Sequence, residues 1–138
     1  MAKEFNLKIL TPEHLFYDGP ADFVMITAPD GKYSFMAGHL PLITVLAIGA
    51  LQYRTKGHVQ LVFNSEGFVE VSPDSVMIFT QTCERAEDID INRAEEARKR
   101  AEEELRQQLS ISEYKRSQIA LARAMARLRV GRMRSSRS

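Results

Sequence analysis

Four arginines in the last third of the chain are spaced to share one task. Arg93 and Arg100 lie seven residues apart, two helical turns along one face, and Arg123 and Arg127 lie four apart. In an antiparallel helical hairpin they would converge on one side, with Asp90 and Glu84 near one end. Guanidinium groups are planar, charged and bidentate, so such a cluster would hold a polyphosphate. The competing reading is a solvated helix face. Glu96 with Arg100, Glu95 with Lys99 and Glu102 with Arg106 are favourable i,i+4 pairs, each contributing only ~0.2–0.5 kcal/mol. From spacing alone the solvated face is the stronger reading.

Other candidates for chemistry are weaker. Asp88 and Asp90 are paired carboxylates of the kind used for acid–base work, but beside a helix start they read as caps and dipole partners. Gly31-Lys32 suggests a phosphate loop, yet the Gly required five residues earlier is Ile26, and no Ser or Thr follows the Lys. His14, His39 and His58 have no metal-ligand spacing and read as surface or turn residues. There is no nucleophile-elbow pattern. The residues point away from an enzyme.

The elements that must position the arginines change character near residue 88. Before it, apolar and polar residues alternate over Phe5–Ile9, and similar runs recur at Asp22–Ala28, Ala50–Thr55, His58–Asn64, Phe68–Ser72 and Val76–Gln81. Turn signals separate them: Asp18-Gly19-Pro20, Pro29-Asp30-Gly31, Lys56-Gly57, Asn64-Ser65-Glu66-Gly67 and Ser72-Pro73-Asp74. Short strands at this spacing predict a β-sandwich or barrel. After residue 88 there is no Pro, and Gly131 is the only Gly. Asp90 caps a first helix with Ile91, Ala94, Ala97, Ala101 and Leu105 on one face. That face is thin, so its docking should be weak at roughly 25 cal/mol per Å². Ser110-Ile111-Ser112-Glu113 matches a capping box that starts a second helix, with Tyr114, Leu121, Met125 and Leu128 on one stripe. The short link around Gln107–Leu109 makes the helices antiparallel neighbours. The expected fold is α+β: a β-sandwich over residues 1–86, then a two-helix hairpin over 87–138, with Arg132–Ser138 disordered.

Composition sets further bounds. The chain has 138 residues, 44% apolar and 27% charged, as in a soluble globular protein. Leu40–Leu51, the longest apolar stretch, is interrupted and far short of the ~20 residues of a membrane span. The start, Met-Ala-Lys-Glu-Phe, has no apolar signal core and predicts no secretion. Cys83, the only cysteine, fits a reducing compartment. The net charge of +1 hides an asymmetry: Glu84–Glu104 holds nine acidic and five basic residues, whereas Lys115–Ser138 holds eight basic and none acidic. The basic end would attract either the acidic half of the tail or an acidic partner. A nucleic-acid-binding module is the alternative, driven by counterion release. The tail offers no aromatic for base stacking beyond Tyr114.

Several segments together resemble the epsilon subunits of F-type ATP synthases, over nearly the whole chain from Phe5 to about Met133. They are Gly38-His39-Leu40-Pro41-Leu42, then Gly49, Glu66-Gly67-Phe68-Val69-Glu70-Val71, Glu84-Arg85-Ala86-Glu87-Asp88-Ile89-Asp90, Lys115-Arg116, and Arg123-Ala124-Met125-Ala126-Arg127-Leu128. The resemblance implies a non-catalytic central-stalk subunit, peripheral on the cytoplasmic face of the cell membrane and not inserted in it. Its sandwich would bind the gamma subunit and the c subunits of the rotor ring, with Gly38, His39 and Pro41 as contacts. Its hairpin would regulate ATP hydrolysis, folded on the sandwich in one state. In the other it would extend to acidic segments of the alpha and beta subunits through Arg116, Arg123 and Arg127. Ile89-Asp90-Ile91-Asn92-Arg93-Ala94 fits the motif by which Bacillus-like members bind ATP on the folded hairpin. By that resemblance Glu84, Ile89, Asp90, Arg93, Ala94, Arg100, Arg123 and Arg127 form a regulatory ATP site. Whether magnesium accompanies the nucleotide is left open. The chain departs from the family pattern over Gly31–His39, a loop expected near the ring, and Glu66 replaces the first Gly of a Gly-Gly-Phe. The end from Arg129 to Arg137 is more basic than the family pattern and is expected to strengthen inhibition.

Overall fold

The computed structural model describes residues 3–137. Ten strands form two five-stranded sheets packed face to face. They are β1 (Phe5–Leu10), β2 (Leu15–Ala21), β3 (Phe23–Ala28), β4 (Gly31–Phe35), β5 (Leu42–Leu46), β6 (Gly49–Thr55), β7 (His58–Asn64), β8 (Gly67–Ser72), β9 (Ser75–Thr80) and β10 (Cys83–Arg85). One sheet has the order β2-β1-β9-β8-β5 and the other β10-β7-β6-β3-β4. Pairing is antiparallel except between β1 and β9. In β3 and β9 every second residue is buried, as the two-residue period of a strand demands. Leu7, Ile9, Val24, Ile26, Leu46, Val69 and Ile78 meet between the sheets with no measurable exposure.

The expected strands are all present, and four more are added. Asp18-Gly19-Pro20 is no turn; it lies inside β2. Pro20 has no N–H to give a ladder, and β2 sits at a sheet edge, where none is needed on one side. Asn64-Ser65-Glu66-Gly67 is not a hairpin either. There the chain leaves β7 in one sheet and enters β8 in the other. A buried hydroxyl network holds this crossing: the Thr82 N–H donates to Ser65 Oγ at 2.8 Å, and Thr80 Oγ1 donates to the Ser65 carbonyl at 2.9 Å. Gly67 must be Gly, because a Cβ there would lie 1.7 Å from the Phe79 carbonyl oxygen.

A short helical turn, Ala86–Asp88, leads to α1 (Ile91–Glu104) and α2 (Ile111–Arg137). Asp90 caps α1, its Oδ1 accepting from the Arg93 N–H at 3.1 Å. The capping box forms as expected: the Glu113 N–H donates to Ser110 Oγ at 3.2 Å, and the Ser110 N–H to Glu113 Oε1 at 3.3 Å. The Ser110 hydroxyl, which donates to Glu113 Oε1 at 2.8 Å, and then the Ser110 N–H hold the Glu113 carboxyl below the usual carboxylate range. The charge lacing of α1 differs from expectation. Arg98 takes both roles, pairing with Glu95 and, at 2.9 Å, with Glu102.

The second helix corrects two expectations. Tyr114 and Met125 are exposed rather than packed, and only Leu121 and Leu128 of that stripe turn inward. The face toward α1 instead carries small residues, Ser117, Ala124 and Gly131, each seven apart and buried. They face a hairpin partner whose buried residues are Ala94 and Ala101, also seven apart. Small side chains let the helices approach closely: a Cβ on Gly131 would come within 2.4 Å of Ile91 Cδ1. Secondly, α2 continues to Arg137. The run expected to be disordered contains no Pro, and its arginines are good helix formers. Met1, Ala2 and Ser138, included in the expected domain bounds, lie outside the described residues.

Candidate functional site

The hairpin docks on the outer face of the β10-β7-β6-β3-β4 sheet. This explains why β7 buries Leu61, Val62 and Phe63 in succession. Leu61 and Phe63 form a second apolar cluster with Ala86, Ile89, Ala126 and Val130, separate from the sandwich core. Two ion pairs flank it. Arg127 Nε donates to Glu84 Oε1 at 2.5 Å, with the guanidinium 4.4 Å from the centre of the Phe63 ring. Arg123 Nη2 donates to Glu66 Oε1 at 2.5 Å, while its Nε is buried without a partner.

Where β10, the short turn and α1 meet, the chain forms a cleft of about 350 Å³. Glu84, Asp88, Asp90, Arg93, Ala94 and Arg127 line it. Five expected site residues therefore share one wall or rim: Glu84, Asp90, Arg93, Ala94 and Arg127. Ile89 is buried in the second apolar cluster and does not line the cleft. Arg100 is exposed and does not line the cleft, and Arg123 is turned away toward Glu66. The expected four-arginine convergence thus reduces to two at the cleft. The antiparallel geometry places Arg127 opposite α1's first turns, where Arg93 starts the helix. Arg100, two turns further along α1, has moved past it.

Three carboxylates and two guanidiniums line this cleft, so it offers acceptors to amino or hydroxyl groups and donors to an anion. Among the described residues no Ser, Thr, Cys, Lys or His lines it. Nearby, burial pushes the Cys83 thiol up to about 12 and the Tyr53 phenol up to about 12. Among the described residues no group of three or more His, Cys, Asp or Glu side chains is placed to hold a metal.

The expected partner residues lie elsewhere. Gly38, His39 and Pro41 occupy the connection from β4 to β5. Gly38 has a positive φ of 83°, and its N–H donates to the Pro73 carbonyl at 3.0 Å. The His39 ring is edge-on to Phe5 and Phe35, its Nδ1 on the Met36 carbonyl and its Nε2 buried without a partner. Beside this loop, Leu40 is 84% exposed and Ile43 73% exposed, with Met36 and Val45 also in solvent. Arg116 is exposed on the first half of α2. Reasoning from sequence missed Phe63 and Glu66 as partners of the arginines. The consecutive apolar run Leu61-Val62-Phe63 was the available signal, since a strand with both faces apolar is covered on both.

Fold and site together define a two-part protein: a β-sandwich with an exposed apolar loop, carrying a docked helical hairpin with a charged cleft at their junction. The ATP synthase delta/epsilon chain β-sandwich domain matches residues 4–86, and the ATP synthase delta/epsilon chain long α-helix domain matches residues 87–131. The chain belongs to the ATP synthase delta/epsilon family, with the epsilon chains, and is a non-catalytic subunit. It is 44% identical to the ATP synthase epsilon chain of Ruminiclostridium cellulolyticum over 90% of this chain and 92% of that one. It is 36% identical to that of Bacillus cytotoxicus over 96% and 99%. In structure it resembles a chain of the Euglena gracilis mitochondrial ATP synthase in a complex of OSCP, F1 and c-ring. The TM-score is 0.81 at 20% identity, covering 98% of this chain and 82% of that one. A chain of the Tetrahymena thermophila mitochondrial ATP synthase central stalk and c-ring gives 0.69 at 11% identity, covering 94% and 98%.

Proposed function

We propose that this chain is a central-stalk subunit of a proton-translocating ATP synthase whose hairpin restrains ATP hydrolysis and whose docked state is stabilised by ATP. The observation that carries the reading is the hinge cleft, because Glu84 of the sandwich, Asp90 and Arg93 of α1, and Arg127 of α2 contribute to one site. A ligand that touches all three bodies favours the state in which they are together by its differential affinity for that state. Asp90 or the adjacent backbone reads the base or ribose, and Arg93 and Arg127 take phosphate oxygens. Arg100 and Arg123 join only after side-chain movement, Arg123 by leaving Glu66.

The stalk role is supported by the family and by the structural neighbours, one from a complex of OSCP, F1 and c-ring and one from a central stalk and c-ring. The loop of Gly38, His39 and Pro41, with its exposed apolar neighbours, is the surface for the gamma subunit and the ring c subunits. Partners there hold the sandwich at the cytoplasmic face of the membrane. Among the described residues no helix is long and apolar enough to cross it. On undocking, α2 presents Arg116, Arg123 and Arg127 to acidic segments of the alpha and beta subunits. Calorimetric titration of ATP, with and without magnesium, into the chain and into an Asp90→Ala, Arg93→Ala double variant tests the site. Saturable binding lost in the variant is expected. Absence of binding by the unaltered chain would reject nucleotide control and leave the stalk role standing.

A further inference from the structure

A second cavity lies under the far end of α2, between that helix and the sheet, and it shares no lining residue with the hinge cleft. Its volume is about 330 Å³, at the small end of ligand pockets. Met25, Ile48 and Leu61 supply apolar wall. Two cations line it, Lys32 of β4 and Arg129 of α2. Both are exposed, and no carboxylate among the described residues pairs with either. Gln52 of β6 also lines it.

We propose that this cavity binds a small amphipathic anion, a carboxylate or phosphate head on a short apolar tail. The tail lies on the apolar wall, and the head is held between Lys32 and Arg129. Neither cation is neutralised by the protein, so the head gains two charge-assisted hydrogen bonds without displacing a carboxylate. The hinge cleft differs here, because Glu84 already occupies Arg127. One wall is α2 and the others are the sandwich, so the ligand favours the docked hairpin by mass action.

The test is calorimetric titration of octanoate, octyl phosphate and octanol into the full chain. Saturable binding of octanoate or octyl phosphate is expected, with octanol at least tenfold weaker. The tighter of the two anions identifies the head group. Lengthening hexanoate to octanoate should tighten binding roughly fourfold for each methylene buried. The Lys32→Ala, Arg129→Ala double variant should bind at least tenfold more weakly. Ala50→Leu, which fills the cavity from β6, should abolish binding while circular dichroism shows an intact sandwich. The Asp90→Ala, Arg93→Ala variant should bind octanoate normally, which separates this site from the ATP reading. No saturable heat with either anion, equal binding of octanol, or unchanged affinity in the Lys32, Arg129 variant would overturn the proposal.

Discussion

Replacing Arg127 by Ala should loosen the hairpin without unfolding either half of the protein. Arg127 is 28% exposed and its partner Glu84 31% exposed, so their ion pair belongs near the upper end of the ~0–1 kcal/mol range for surface pairs. The stack on Phe63 at 4.4 Å adds ~0.5–1 kcal/mol. Together the loss is ~1–2 kcal/mol, which lowers the ratio of docked to undocked hairpin roughly 5–30-fold. Arg123 and Glu66 are more exposed, at 38% and 41%, and Arg123→Ala should cost at most about fivefold. Glu84→Gln removes the charge but leaves Arg127 on Phe63, so it should fall between wild type and Arg127→Ala. The assay is amide hydrogen exchange along α2 without nucleotide, because local opening sets the exchange rate of docked amides. In 1 M salt, where the Debye length is ~3 Å, the Glu84→Gln effect should shrink while the stacking part of Arg127→Ala persists. Protection of α2 within twofold of wild type in Arg127→Ala would refute the reasoning. So would a Glu84→Gln effect as large as that of Arg127→Ala.

Four further outcomes are expected. Stability should fall as pH rises from about 9 toward 12. Unfolded Cys83 and Tyr53 ionise near their ordinary values of 9.0 and 10.0, while both folded groups, raised to about 12, stay protonated. The unfolded state then binds fewer protons and is favoured, and chemical melts across that range read it. The same burial should leave Cys83 unreactive to alkylating reagents at neutral pH unless β10 opens, which mass spectrometry of treated protein checks. Gly67→Ala should destabilise the sandwich by ~3 kcal/mol or more, because the blocking atom is the Phe79 backbone, seen as a large drop in melting temperature. Ser110→Ala removes the cap of α2 and should cost ~1 kcal/mol of helix stability, visible as faster exchange confined to the first turn.

How much of this was legible depends on the range of the signal. Alternation in Phe5–Ile9 and Val76–Gln81 is local, and the strands it implied are present. The Asp90 cap and the Ser110-to-Glu113 box are local too, and both form as read. β2 was obscured because an edge strand tolerates Asp18-Gly19-Pro20, residues that elsewhere make a turn. The packing face of α2 was obscured because small residues carry it. Ser117, Ala124 and Gly131 score poorly as hydrophobic, yet their seven-residue spacing matches Ala94 and Ala101. At the site, the motif around Asp90 and Arg93 was visible as a resemblance. The pairings of Arg123 with Glu66 and Arg127 with Glu84 span 57 and 43 residues. No periodicity reports contacts at that range.

Those pairings bear on how the proposed hairpin switch would work. A two-state element must have states within a few kcal/mol of each other. The interface with the sandwich meets that need: among the described residues it rests on one modest apolar cluster and two half-exposed ion pairs. Under the proposed mechanism, ATP cannot simply add its energy to this interface. Arg127 already serves Glu84, so a phosphate that recruits it must replace that carboxylate or share the guanidinium's remaining N–H groups. The stabilisation by nucleotide is then the difference between the phosphate contact and the carboxylate contact, plus what Asp90 and Arg93 contribute. Glu66 acts in the same direction, since it holds Arg123 away from the cleft while keeping α2 docked. This chain should therefore dock its hairpin more strongly without ATP, and respond to ATP less, than a relative with Gly at position 66. Glu66→Gly should lower α2 protection without nucleotide and enlarge the protection gained on adding ATP. An unchanged ATP response in that variant would mean that Arg123 has no part in the cleft.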